Sequence, residues 1–525
     1  MRYTILPLAF LGTIVLTRPV HAQTKTDRAE VRWGAELNEK KDGDFGIVYH
    51  ETEDHVYFSN WKKKELYITK MDRDLKVEYD QLVPLEINDE EHGLERIVFL
   101  GDQVVVFTSV YDKKDERTTL YKRVFNEADM RPQGGPEKIH QVRAEGRKNT
   151  GGFNVYTSLD RERMLVRTFK PYEKEAREQF DLRLYDGDLQ LLSERTVDLP
   201  YSGDKFVTES VLLDNDGTVM VLGIVYDEKQ EARANRKKGD ATYTYHLLVL
   251  PPDASAPEDH VIDVREKFLQ DMTFAMGETG DIVCGGFYGN TNEWNIRGAY
   301  FLKLDRSTKA ISHQSFKEFD NDFITSYMTE KEAKQAEKCA EKREEDLQMY
   351  NFDLDEIVLR DDGGAVMVGE QSYTYVSCYT DNNGNRYCNT YYVNNDIVVV
   401  NIDPNGEIEW ARKVPKRQHA GTPIYSSYGM SVVGNKIYFV FNDSGKNLFL
   451  KEGDRIDDFE LKGKDALVTL ATVEADGTVH REALLAPDRQ DAILRPMACT
   501  QVADDRMFIY ATRKNDYQYG YITFQ

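Results

Sequence analysis

Short runs of alternating β-branched and aromatic residues, broken by Asp, Asn and Gly, recur along the whole chain. In "ESVLLDNDGTVMVLGIVY", "TFAMGETGDIVCGGFYG", "DEIVLRDDGGAVMVGEQSY" and "MSVVGNKIYFVFND" two such runs flank a tight polar turn. That pattern predicts paired antiparallel strands. Divergent copies are "GIVYHETEDHVYFSN", "RIVFLGDQVVVFTSV", "FNVYTSLDRERMLVRTF" and "ACTQVADDRMFIYATR". A second two-strand element follows most of them, as in "LYITKMDRDLKVEYDQLV", "FDLRLYDGDLQLLSERTVDL", "AYFLKLDRSTKAISHQSF", "IVVVNIDPNGEIEWARKV" and "LVTLATVEADGTVHREAL".

A four-strand unit returning in order predicts an all-β chain folded as a single β-propeller, most simply with eight four-stranded blades. Seven is the alternative, because the first unit, "FGIVYHETEDHVYFSN", has no glycine in its turn. The last unit ends after a third strand, "YGYITF", while "VRWGAEL" near the start aligns with the fourth-strand sequence "IEWARKV", Trp33 matching Trp410. Residues 31–37 are therefore expected to complete the last blade and remove an open edge. The propeller domain is expected over 23–525.

The stretch "DDGGAVMVGEQSY" followed by "DIVVVNIDPNGEIEWARKVP" resembles the repeat of secreted bacterial β-propeller proteins, with its Asp-Gly-Gly turn, Val-Gly pair, Asp-x-x-Gly turn and Trp in the last strand. The close match covers one unit. The resemblance implies architecture and export, and such folds host many activities.

With strands named a to d from the axis outward, the a–b and c–d turns share one face and the b–c and d–a connections share the other. The first set is short ("DNDG", "RDDG", "DPNG", "EADG") and the second carries the insertions. One is helical, within 326–351: Ala333, Ala336, Ala340 and Leu347 give an apolar stripe that predicts a helix over about 329–349. Another is a hairpin at 371–396, "QSYTYVSCYTDNNGNRYCNTYYVNND". Cys378 and Cys388 lie symmetrically about its turn and are expected to form a disulfide. Cys284 and Cys499 fall in strand patterns as buried thiols, and Cys339 in the charged helix as a free one.

The N-terminal stretch "MRYTILPLAFLGTIVLTRPVHAQ" has a basic residue, an apolar run too short to span a bilayer, and Ala22 before the cut. It predicts a signal peptide over 1–22. Export to the periplasm, the medium or the cell surface of a bacterium follows. The formal charge is −23; residues 1–22 hold Arg2 and Arg18 and no acid, so the remaining chain carries −25. That argues against nucleic acid and anionic lipid as partners. No integral membrane segment is expected.

No zinc, nucleophile-elbow or phosphate-loop motif occurs, and the ten histidines are scattered. Asp214–Thr218 and Asp403–Glu407 read as turns rather than calcium loops. The vicinal Cys–Cys that quinone-binding propellers often use is absent, and no metal or cofactor is expected. The candidate binding residues are Tyr373, Tyr375, Tyr379, Tyr387, Tyr391 and Tyr392 of the hairpin, with Trp294 of a neighbouring loop, since tyrosine supplies large amphipathic contact surface. The expectation is a non-catalytic exported propeller that binds a protein or glycan through its b–c/d–a face. The alternative is a hydrolase or lyase with carboxylates in the central funnel.

Overall fold

The computed structural model describes residues 23–525 apart from 239, 265–266, 278–281, 290–294, 344–346, 361, 381–385, 452, 462 and 486–492. Residues 1–22, expected to be a signal peptide, and Trp294 lie outside the described residues. The described chain folds into eight antiparallel sheets of four or more strands plus one two-stranded hairpin, Glu86–Ile87 with Glu90–Glu91. We number the sheets 1 to 8 in chain order, from Asp44–Glu51 to Asp516–Phe524. Sheet 1 begins with the glycine-poor first unit: Asp44–Glu51 pairs with His55–Lys62.

The buried apolar residues form eight clusters, and each draws on two consecutive sheets. They join 1 to 2, 2 to 3, 3 to 4, 4 to 5, 5 to 6, 6 to 7, 7 to 8 and 8 to 1. The series returns to its start, so the sheets pack as a closed ring, the β-propeller fold. First strands of neighbouring sheets touch around most of that ring and line its axis.

Closure comes from both ends of the chain. Ala29–Trp33 pairs antiparallel with Asp516–Phe524, Val31 opposite Ile522 and Trp33 opposite Gly520. The strand sits two residues earlier than the expected 31–37: after the Gly34 amide donates to Tyr519 O, the chain leaves the ladder, and Leu37–Asn38 return to pair with Tyr517 and Asp516. Trp33 lies against Gly520, where a Cβ would come within 2.7 Å of its ring. Gln23–Lys25 adds a further strand outside Ala29–Trp33.

The long connections gather on one face. They include Lys229–Lys238, a helix the sequence pattern did not reveal, and the segment between sheets 5 and 6. That segment holds helices Asn321–Thr325 and Glu330–Arg343. The second ends before the expected 349. Leu347 is buried in the core between sheets 5 and 6, and Met349 forms a bridge with Ile296, so this part of the apolar stripe serves the ring rather than a helix face. Ala336 and Ala340 pack against the same core.

Two outcomes test closure. Deleting residues 23–34 should lower the melting midpoint and give concentration-dependent aggregation by light scattering; an unchanged monomer with unchanged melting counts against the closing role. Trp33→Ala should cost about 3–5 kcal/mol in urea unfolding, the range for emptying a buried aromatic site.

Candidate functional site

The hairpin is a ribbon grown from sheet 6. Its second and third strands run from Ala365 to Thr380 and from Arg386 to Ile402, the longest strands of the described chain. Sheet 6's first strand, Phe352–Leu359, stops pairing at Gln371, so the ribbon leaves the sheet there. Cys378 faces Cys388 and the two form a disulfide.

A β-ladder alternates side chains between two faces. Tyr373, Tyr375, Tyr387 and Tyr391 share one face, and Tyr392 lies on the other with Thr374 and the disulfide. The backbone of Tyr379 pairs with Tyr387. Tyr375 stacks on Tyr391 with ring centroids 5.2 Å apart. Its hydroxyl meets His419 Nε2 at 2.6 Å. His419 comes from a short third strand, Gln418–Ala420, laid against Tyr392–Asn394. Tyr373, Tyr375 and Tyr387 are exposed at 37%, 39% and 46%, so the braced ribbon presents tyrosine surface to solvent.

The ribbon's base is held by a fully buried ion pair. Lys416 Nζ donates to Glu370 Oε1 at 2.5 Å, to Asn394 O at 2.9 Å and to Gln418 Oε1 at 3.2 Å. Asn394 Nδ2 donates to the other Glu370 oxygen at 2.6 Å, and Gln418 Nε2 donates to Asn442 O of sheet 7 at 2.8 Å. All three donors of the ammonium are satisfied, as burial of a charge requires.

A second set of acidic residues lies on the first strands, which line the axis. The first strands of sheets 2, 4 and 6 each carry a bulge at the corresponding place, between Leu94 and Arg96, Thr208 and Ser210, and Leu354 and Glu356. The extra residue is acidic each time: Glu95, Glu209 and Asp355. A bulge sets two consecutive side chains on one side of a strand. Asp355 and Glu356 accordingly both line a cavity of about 480 Å³ with Tyr428, Met430 and Gln501, between the first strands of sheets 6, 7 and 8. Tyr428 Oη donates to Asp355 Oδ2 at 2.6 Å. Solvent reaches Glu209, Asp355 and Glu356, yet protein surrounds them as in a concave wall, and that burial raises the pKa of each carboxyl. Asp355 rises to about 6, from burial first and the charges of Glu370 and Asp353 next, against the opposing Tyr428 hydrogen bond. Asp271 also rises to about 6, but its oxygens accept from the Phe287 and Leu354 amides at 2.8 Å, so it joins sheets 5 and 6.

Sequence reading found the ribbon and missed this second group. An acid placed just before each buried first-strand run ("LERIVF", "TESVLL", "LDEIVL") is the signal that marks it. Among the described residues no group of three or more His, Cys, Asp or Glu is placed to hold a metal ion. No described helix is long and apolar enough to cross a membrane. Cys284 and Cys499 are buried thiols and Cys339 is exposed.

No family model and no curated protein matches the chain. Solved structures similar to it share little sequence. A protein of unknown function from Bacteroides caccae is 10% identical over 70% of this chain and 93% of its own, with a TM-score of 0.28. Prolyl oligopeptidase B from Galerina marginata is 9% identical over 90% of this chain and 55% of its own, with a TM-score of 0.41. An ulvan lyase of polysaccharide lyase family PL25 is 9% identical over 86% of this chain and 96% of its own, with a TM-score of 0.37.

Because Asp355 holds its proton to higher pH in the fold than in the unfolded chain, where an aspartate titrates near 4, its contribution to stability falls as pH rises from about 4 through about 6. The change in unfolding free energy from pH 4 to pH 7 should therefore be shifted in the stabilising direction for Asp355→Asn relative to the wild type. An equal difference in both proteins overturns the assignment.

Proposed function

We propose that the chain is an exported, non-catalytic recognition protein that binds a protein or glycan through the face bearing its long connections, with the ribbon as the principal contact. One observation carries this reading: Tyr373 and Tyr387 stand exposed on a ribbon fixed by a disulfide, a third strand and a buried ion pair. A preformed aromatic surface loses little conformational freedom on binding. The disulfide fits an oxidising compartment, and export would proceed through residues 1–22.

A second reading is favoured by the axial cavity. Asp355 and Glu356, with Tyr428 hydrogen-bonded to Asp355, would serve a hydrolase or lyase as paired acid and base.

The test replaces residues 377–389 with an Asn-Gly turn. The melting midpoint should stay within about 2 °C of wild type, as expected for a change outside the packed core. Recovery of the partner retained by wild-type protein from the native exported fraction should be lost. Unfolding of the variant, or undiminished recovery, overturns the ribbon's role. Asp355→Asn and Glu356→Gln should leave that recovery unchanged; a polysaccharide or peptide cleaved by wild type and spared by both variants would establish the second reading instead.

A further inference from the structure

Outer strands of sheets are ordinarily protected from pairing with other chains by charge, proline or cover. The ring follows that rule. The outermost strand of each of sheets 1 to 7 carries at least two charged residues, from Glu78 and Asp80 in sheet 1 to Arg481 and Glu482 in sheet 7, and the short outermost strand of sheet 8, Gln23–Lys25, carries Lys25. The ribbon breaks it. Ser372–Thr380, "SYTYVSCYT", has no charge and no proline, and among the described residues no strand pairs with its outer side.

The register shows which backbone groups that side presents. Cys378 and Cys388 are 4.1 Å apart at Cα, the narrow spacing of a pair that does not exchange backbone hydrogen bonds. Such residues aim N–H and C=O away from the partner strand. By alternation Ser372, Thr374, Val376 and Cys378 all aim theirs outward. Ser372 confirms the phase, since its N–H donates outward to Asn351 O at 2.8 Å. Thr374, Val376 and Cys378 follow with no backbone partner among the described residues. Val376, at the centre, is exposed at 61%.

We infer that this edge pairs with the same edge of a second copy of the chain, antiparallel and two-fold symmetric about Val376. Thr374 then lies opposite Cys378 of the second copy and Val376 opposite itself, so the three outward residues of each strand exchange hydrogen bonds and the two exposed valines cover each other. The charge distribution leaves this edge as the place where two copies can meet. Two copies at −25 repel over most of their surfaces. The ribbon offers an uncharged, self-complementary strand away from that surface, and none of the fourth strands matches its chemistry. The inference rests on the ribbon being the recognition element, and it leaves the tyrosine face open to a further partner.

Sedimentation velocity on the full exported chain with its disulfide intact tests it. A concentration-dependent monomer–dimer equilibrium is expected. It should tighten as NaCl rises from about 0.05 to 0.5 M, because salt screens the repulsion between acidic bodies. Val376→Lys and, separately, Thr374→Lys should each raise the dimer dissociation constant at least about tenfold while leaving melting unchanged. A protein that stays monomeric at about 100 μM across that salt range, or a dimer indifferent to both lysines, overturns the inference. Both variants keep the tyrosine face, so recovery of an external partner should persist in them. Its loss in the ribbon replacement alone separates failure of the dimer from failure of the recognition reading.

Discussion

Every sheet of this protein depends on a neighbour for its core. The eight buried clusters all lie between sheets, and none is internal to one. This explains the composition of the middle strands. Val398–Val400, Phe439–Phe441 and Met507–Ala511 are buried at consecutive positions, because both faces of each sheet are covered. It also explains why the ring must close. A missing last strand would leave Trp33's site on Gly520 empty, strip the outer side of Asp516–Phe524, and remove Ala29, Val31 and Trp33 from the core between sheets 7 and 8.

A scaffold that satisfies itself this way can carry additions at little cost to its core, and the additions here have anchors of their own. Lys416 and Glu370 are both withdrawn from water at the ribbon's root. Their mutual attraction offsets a desolvation cost that hydrophobic residues would not incur, so the pair contributes more to fixing the ribbon's direction than to overall stability. Removing either partner would strand the other. The third strand through His419 adds a lateral constraint where sheet 6 has already ended.

Much of this was legible in the sequence. Turn chemistry and period-two patterning located the paired strands, and the spacing of Cys378 and Cys388 about "DNNGN" gave the ribbon and its crosslink. The Trp33–Trp410 correspondence led to the closing strand, with an offset of two residues because the chain leaves the ladder after Gly34. The axial carboxylates escape period-two patterning, because a bulge shifts the alternation by one, and only the acid ahead of each buried first-strand run marks them. The helix after Glu330 was extended too far in sequence terms because Leu347 continues an apolar stripe whose last members belong to a tertiary core. The partnership of Lys416 with Glu370 joins positions 46 residues apart, and no local pattern encodes it.

The way the ring is fastened makes its order cyclic. Residue 525 lies beside residue 28, the Gln525 amide donating to Arg28 O at 2.9 Å. The packing of sheet 8 therefore distinguishes a first strand from a last one only by where the peptide chain happens to be open. Circular permutation uses this property. With residues 28 and 525 linked and the chain opened at a tight outer turn such as 474–478, every intersheet core and every strand pair except that of Gln23–Lys25 with Ala29–Trp33 would remain. The ring thus stores its architecture in neighbour relations rather than in the direction from first residue to last.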